Sequence, residues 1–279
     1  MRMAHWTSAG LLALALTTAS LYAQLPLEPF HDSGQSVTPA YEGWFQNGDG
    51  TYSILFGYYN RNQKQELEIP IGPNNRIEPG GPDRDQPTHF LSGRQWGLFT
   101  ITVPKDFGKN KLTWTLTANG QTNAIPASLD PLWELAPFKD ATDNTPPTIH
   151  FEGASVQGPR PLVASLTAKV PEPLLLTVSV SDDAKVVPGM QRPKTPPVVL
   201  GWSKFRGPGT VTFDNARPAA EKIEDPANSA GFSGRASTTV TFSEPGEYIL
   251  YLVANDWSGR GGRGFQCCWT NALVKVSVK

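Results

Sequence analysis

The sequence predicts an all-β chain of two β-sandwich modules in tandem after a signal peptide, and three observations lead there. The first is alternation. Leu174, Leu176, Val178 and Val180 would share one strand face, as would Val198, Leu200 and Trp202; Thr238, Val240 and Phe242; Tyr248, Leu250, Leu252 and Ala254; and Ala272, Val274, Val276 and Val278. Residues two apart on a strand point the same way, so five such runs separated by turn-rich sequence close best as two packed sheets. The second is that no run of helical periodicity follows the N-terminal segment. The third is the spread of 26 Gly and 26 Pro through the chain as punctuation between strands, below the roughly 25–30% combined share that marks disorder.

At the N-terminus Arg2 and His5 precede the apolar run Leu11 to Leu16, and small and polar residues then lead to Leu21-Tyr22-Ala23 before Gln24. That is the layout of a secretory signal peptide, so residues 1–23 are expected to be removed and the protein to be secreted or periplasmic. No later stretch is long and apolar enough to span a bilayer. Removal takes one of 24 basic residues, leaving 23 against 25 acidic ones and a formal charge of −2, which steers toward neither nucleic acid nor anionic membrane. The remaining chain exceeds one sandwich of about 100 residues and suits two.

The first module is expected over residues 24–138. Gly43-Trp44-Phe45-Gln46, the turn Asn47-Gly48-Asp49-Gly50 and the run Thr51 to Tyr58 form a hairpin signal. Glu66 to Ile71 and Trp96 to Val103 supply two further strands. Leu112, Trp114 and Leu116 alternate with threonines before Asn119-Gly120 reverses the chain. Between strands, Gly72 to Arg94 reads as one long loop, either a binding loop or a surface excursion. Residues 139–147 read as a polar, proline-stiffened linker, and residues 148–279 as the second module.

The second module carries a resemblance. Trp202 to Phe213 reads WSKFRGPGTVTF, and after a polar spacer Ser237 to Asp256 reads STTVTFSEPGEYILYLVAND. This resembles the PKD-type, immunoglobulin-like repeat of secreted bacterial proteins, over about residues 145–279. The first module looks like secreted bacterial sequences to which no activity attaches. The resemblance implies immunoglobulin-like sandwiches, with Trp202 as a core tryptophan and Tyr248 as a tyrosine-corner residue, and it names no ligand.

Three constellations could carry function. Asp140, Asp143, Asn144 and Pro146 match the calcium linker D-x-N-D-N-x-P of cadherins, from which Thr142 departs. With Asp182 and Asp183, should that strand end return to the joint, they offer the oxygen ligands calcium takes; the alternative is a solvated linker. The loop after the Tyr248 strand carries Trp257, Arg260, Arg263 and Trp269, donors and flat faces that suit carboxylates, sugars or a partner protein. The alternative is that both tryptophans cover the sandwich end. Cys267 and Cys268 are adjacent, which leaves two free thiols, a vicinal disulfide or bonds to another chain.

Enzyme motifs are absent. His31, His89 and His150 are the histidines left after residue 23, and only Asp83, Asp85 and His89 share a loop in which a metal or acid-base cluster could form. The expected function is therefore that of a non-catalytic binding or adaptor protein engaging a protein partner at the cell envelope. One alternative is a carbohydrate-binding module drawing on Trp44, Tyr58, Tyr59 and Trp96, with polysaccharide as partner. The other is an envelope hydrolase with an acidic cleft.

Overall fold

Asn47 closes the first hairpin by accepting from the Gly50 N–H at 2.9 Å and donating its own N–H to the Thr51 carbonyl at 2.8 Å, so the first strands pair from that turn outward. In the computed structural model, which describes residues 31–159, 162–186, 189, 191, 194–258 and 267–279, these are β1 (Val37–Gln46) and β2 (Tyr52–Asn60). The expected signal peptide lies outside the described residues. The first module continues with β3 (Leu67–Glu68), β4 (Asn75–Glu78), β5 (His89–Phe90), β6 (Gly93–Val103), β7 (Leu112–Ala118) and β8 (Gln121–Ala127). One sheet has the order β1-β2-β6, a second β4-β7-β8, and β3 pairs with β5 alone. Between the two sheets Phe56, Phe99 and Trp114 pack with ring centroids 5.1 to 5.9 Å apart.

The segment expected as one loop, Gly72 to Arg94, differs from that expectation: it contains β4 and β5. Asn75 is the reason. Its buried side chain donates to the carbonyls of Ile69 at 2.9 Å and Pro87 at 2.7 Å and accepts from the Trp114 indole at 3.1 Å, so a polar residue ties the excursion to the core.

The second module is built from β9 (Thr148–Phe151), β10 (Ala154–Gln157), β11 (Leu162–Ala168), β12 (Leu174–Asp182), β13 (Val199–Arg206), β14 (Val211–Phe213), β15 (Glu221–Lys222), β16 (Phe232–Phe242), β17 (Gly246–Asn255) and β18 (Trp269–Val278). One sheet runs β10-β9-β12-β16-β14 with β15 also on β16, and the facing sheet runs β11-β18-β17-β13. This is an immunoglobulin-like sandwich in which β11 joins β18 in parallel, from Leu162 opposite Ala272 to Ala168 opposite Val278. The alternating positions form its core, Trp202 packing on Phe151 and Phe213. The Tyr248 hydroxyl donates to the Glu244 carbonyl at 2.8 Å and accepts from the Gly209 N–H at 3.1 Å, the tyrosine-corner geometry.

The second sandwich also uses its outer face. Phe205 and Tyr251 stack 6.1 Å apart on the outside of the β13-β17-β18 sheet and belong to the same apolar cluster as Ile54, Phe56 and Trp114 of the first module. Burying two aromatic side chains this way contributes roughly 1.5–3 kcal/mol each. Residues His31–Lys279 accordingly form one compact unit. Among the described residues no helix is long and apolar enough to cross a membrane.

Candidate functional site

Two β-bulges shape the contact between the modules. Glu42 is the extra residue of β1 where its register on β2 shifts between Tyr41 and Gly43, and Trp96, Gly97 and Leu98 bulge from β6 where Gln95 and Phe99 face Tyr58 and Phe56. Bulges re-aim side chains out of the ladder. Here Glu42 accepts from both Arg94 and the Gly97 N–H. Burial pushes its carboxyl up, and the Arg94 charge and the Gly97 N–H pull it back only in part. The Gly97 carbonyl in turn accepts from the Trp269 indole at 3.2 Å and the Asn271 amide at 2.6 Å. Asn271 holds the Tyr251 hydroxyl at 2.9 Å. Trp269 is 7% exposed, so the structure places this expected partner-binding residue inside the chain, between the modules.

Beside this contact lies a cleft of ≈ 690 Å³ lined by Glu66, Glu68 and His89 from the first module and Trp202, Lys204 and Arg217 from the second. His89 Nε2 lies 3.1 Å from Glu66 Oε2 and Nδ1 2.8 Å from Glu68 Oε1. The Lys204 ammonium, on β13, sits 2.6 Å from that same Glu68 oxygen. Burial raises the Glu68 carboxyl, but hydrogen bonds and charge from His89 and Lys204 outweigh it and hold the group below its ordinary value. The expected cluster of Asp83, Asp85 and His89 does not form: Asp83 takes the Arg206 guanidinium at 2.8 and 3.1 Å, while His89 turns to Glu66 and Glu68. Glu66, Glu68, His89 and Lys204 are thus engaged with one another in the cleft, Glu68–Lys204 crossing from module to module, as Asp83–Arg206 does beside it.

The joint gathers the third set. Asp140 Oδ1 accepts from the Thr142 N–H and hydroxyl at 2.7 Å each and from the Asn144 N–H at 3.1 Å, while exposed Asp143 pairs with Lys139. Both residues build the turn, Asp143 facing outward while Asp140 stays in contact with Asn144. Asn144, Asp182 and Asp183 converge. Asp183 Oδ2 accepts from the N–H and hydroxyl of Thr145 at 3.1 Å each. The Asn144 amide donates to Asp256 Oδ2 at 2.7 Å and to the Ser258 hydroxyl at 2.9 Å. Burial pushes the Asp182 carboxyl up to about 7, against the pull of the Ala184 N–H and with the charges of Asp256 and Asp183 adding to it. Spacing pointed to Asp182 and Asp183; nothing in the sequence separated Asp256 from any other strand-end aspartate.

Cys267 and Cys268 are joined as a vicinal disulfide. Their sulfurs lie 4.0 and 3.5 Å from the Asn144 carbonyl, and because a disulfide has no proton to donate, these are packing contacts against the joint. Trp257 is half-buried and donates its indole N–H to the Thr195 carbonyl at 3.2 Å. Arg260 and Arg263 lie outside the described residues. Of the aromatics considered for sugar binding, Trp44 and Tyr58 are buried, while Trp96 and Tyr59 are 46% and 37% exposed. Among the described residues no three His, Cys, Asp or Glu side chains form a metal-holding group.

No protein-family model matches the chain, and no curated protein matches it in sequence. Among solved structures, domains 4 and 5 of the S-layer protein SbsC align with 88% of this chain and 98% of theirs, at 11% identity and a TM-score of 0.24. The zebrafish RET cadherin-like domains 1 to 4 align with 77% of this chain and 46% of theirs, at 10% identity and 0.29. CfaE, the adhesive subunit of the CFA/I fimbria of enterotoxigenic Escherichia coli, aligns over 91% and 81%, at 8% identity and 0.22. Likeness at this level carries no argument about ligand or activity, and the all-β sandwich fold rests on the register of the chain's own strands.

Proposed function

We propose that this chain is a non-catalytic binding or adaptor protein, secreted or periplasmic, that engages a protein partner at the cell envelope through the loop following β17. The observation that carries this reading is the ion-paired contact between modules. Glu68–Lys204 and Asp83–Arg206 cross from module to module while Glu42–Arg94 and Glu68–His89 brace the first-module side, so these charged groups serve the scaffold. What remains is one firm body built to present a loop, with Trp257 anchoring its first end and Arg260 and Arg263 as its donors. Pull-down from envelope extracts by the wild type and by the Arg260→Ala/Arg263→Ala double variant tests it. A band captured by the wild type and lost in the variant, with unchanged melting curves, is the expected result; equal capture by both sinks the reading.

A polysaccharide partner is the second reading, supported by the exposed pair Trp96 and Tyr59. The Arg94 and Arg61 guanidiniums lie 3.8 and 5.5 Å from the centroids of these two rings, and flat aromatic faces flanked by donors suit sugar rings. Under this reading Trp96→Ala would abolish retention on envelope polysaccharide, whereas the loop variant would leave it intact.

A further inference from the structure

The joint contains two oxygen atoms that the protein does not satisfy. Asn144 and Asp182 are 2% and 6% exposed, and Asn144 Oδ1 and Asp182 Oδ1 are both buried without a hydrogen-bond donor. The Asn144 amide nitrogen is fixed by Asp256 Oδ2 and Ser258 Oγ, so its oxygen is the end left over. Asp182 Oδ2 takes the Ala184 N–H at 2.7 Å, which leaves Oδ1. A buried acceptor without a donor costs about 1–3 kcal/mol, and two of them flanking one carboxylate, Asp256, which Asn144 touches and whose charge acts on Asp182, call for a ligand that offers positive charge.

We infer that Asn144 Oδ1 and Asp182 Oδ1, with Asp256 as the second carboxylate, form a binding site for a hard divalent cation, calcium. The set differs from the one the linker spacing suggested. Asp143 drops out because its carboxylate pairs with Lys139 at the surface, and Asp140 stays at the margin, holding the turn and the Asn144 N–H. Asp256, just past the end of β17, comes in because it is buried against Asn144, its Oδ1 also accepting from the N–H and hydroxyl of Ser258. The chemistry chooses the ion. Every donor is oxygen, and the nearby sulfurs are oxidised, so neither nitrogen nor thiolate is offered to a softer metal. Two carboxylates and an amide, completed by water, are a low-charge set, which places the affinity at about 10⁻⁴ to 10⁻³ M. A cation there would tie the end of β12 to the end of β17, one from each sheet of the sandwich, through the chain at Asn144. This inference goes beyond the adaptor reading and does not rest on it.

Titration of the EGTA-stripped protein with calcium chloride, by calorimetry and by thermal melting, tests the site. One-site heat and a rise in Tm of about 3 °C at about ten times Kd are expected, both lost in Asp182→Asn and both kept in Asp32→Asn, at an exposed carboxylate of the first module paired with Lys64. Should Asp182→Asn not fold, Asp256→Asn serves the same purpose. No heat and no shift in the wild type would overturn the site and assign Asp182 Oδ1 to a bound proton instead. An undiminished response in both Asp182→Asn and Asp256→Asn would equally overturn it, and a response to magnesium as strong as to calcium would overturn the choice of ion.

Discussion

At Gly97 the backbone holds φ at +54°, and the ring of Trp269 occupies the space a side chain would need: a Cβ there would meet Trp269 Cζ2 at 2.4 Å. Two penalties therefore fall on one substitution. The left-handed conformation costs a residue with a Cβ about 1–2 kcal/mol, and forcing a methyl into a packed contact costs about 1–3 kcal/mol more. Gly93, on the same strand, has φ +78° but nothing within 4 Å of its Cβ position, so it carries only the first. Gly97→Ala is expected to destabilise the protein by about 3 kcal/mol and Gly93→Ala by about 1 kcal/mol, as denaturant melts would measure. Equal losses would mean that the Gly97–Trp269 contact is not close-packed. The same residue explains why Trp269 is internal: its indole is held by the carbonyl of the one residue small enough to lie against it.

Among the elements, β4 depends most on a single polar side chain. Asn75 donates twice and accepts once in a fully buried position, and truncating it orphans two carbonyls and the Trp114 indole. Asn75→Ala is expected to cost about 3 kcal/mol, at about 1 kcal/mol or more for each lost bond, whereas Asn74→Ala next to it should stay within about 0.5 kcal/mol; urea midpoints of the two variants check this. β4 also shows where sequence reading stops. Strands such as β12, β17 and β18 announce themselves because one face meets a core and the other meets water or polar groups, which writes a period of two into the residues. Gly-Pro-Asn-Asn before Arg76 writes the opposite signal, and what overrides it is a hydrogen-bond hub assembled from residues 6 to 39 positions away. The joint divides in the same way. Asn144, Asp182 and Asp183 were legible as oxygen donors, but the turn roles of Asp140 and Asp143 and the arrival of Asp256 depend on which strand ends meet, and spacing does not encode that.

At the scale of the whole molecule, the two sandwiches share an apolar cluster and a border of charges, and the charges make the contact sensitive to acid. Glu68 is held below its ordinary value of 4.5, since His89 and Lys204 outweigh its burial, and Asp83 below its ordinary 3.8 by Arg206. A carboxyl depressed in the folded state stabilises fully above its unfolded value and loses that contribution as pH falls through the lower folded one. Glu42 works the other way. Its carboxyl is raised by burial, so its contribution is present below the unfolded value and lost as pH rises through the folded one. Acidification therefore weakens the Glu68 and Asp83 pairings while relieving Glu42. Melting temperatures of the wild type, Glu68→Gln and Glu42→Gln from about pH 6 to about pH 3 separate these contributions. The wild type should lose more stability than Glu68→Gln as pH falls, because the variant has no carboxylate left to protonate at that position. Glu42→Gln should lose more than the wild type over the same range, having no raised carboxyl to be relieved. Three parallel curves would show that the charged border contributes nothing and that the apolar cluster around Phe205 and Tyr251, with the Trp269 and Asn271 bonds to Gly97, holds the modules together.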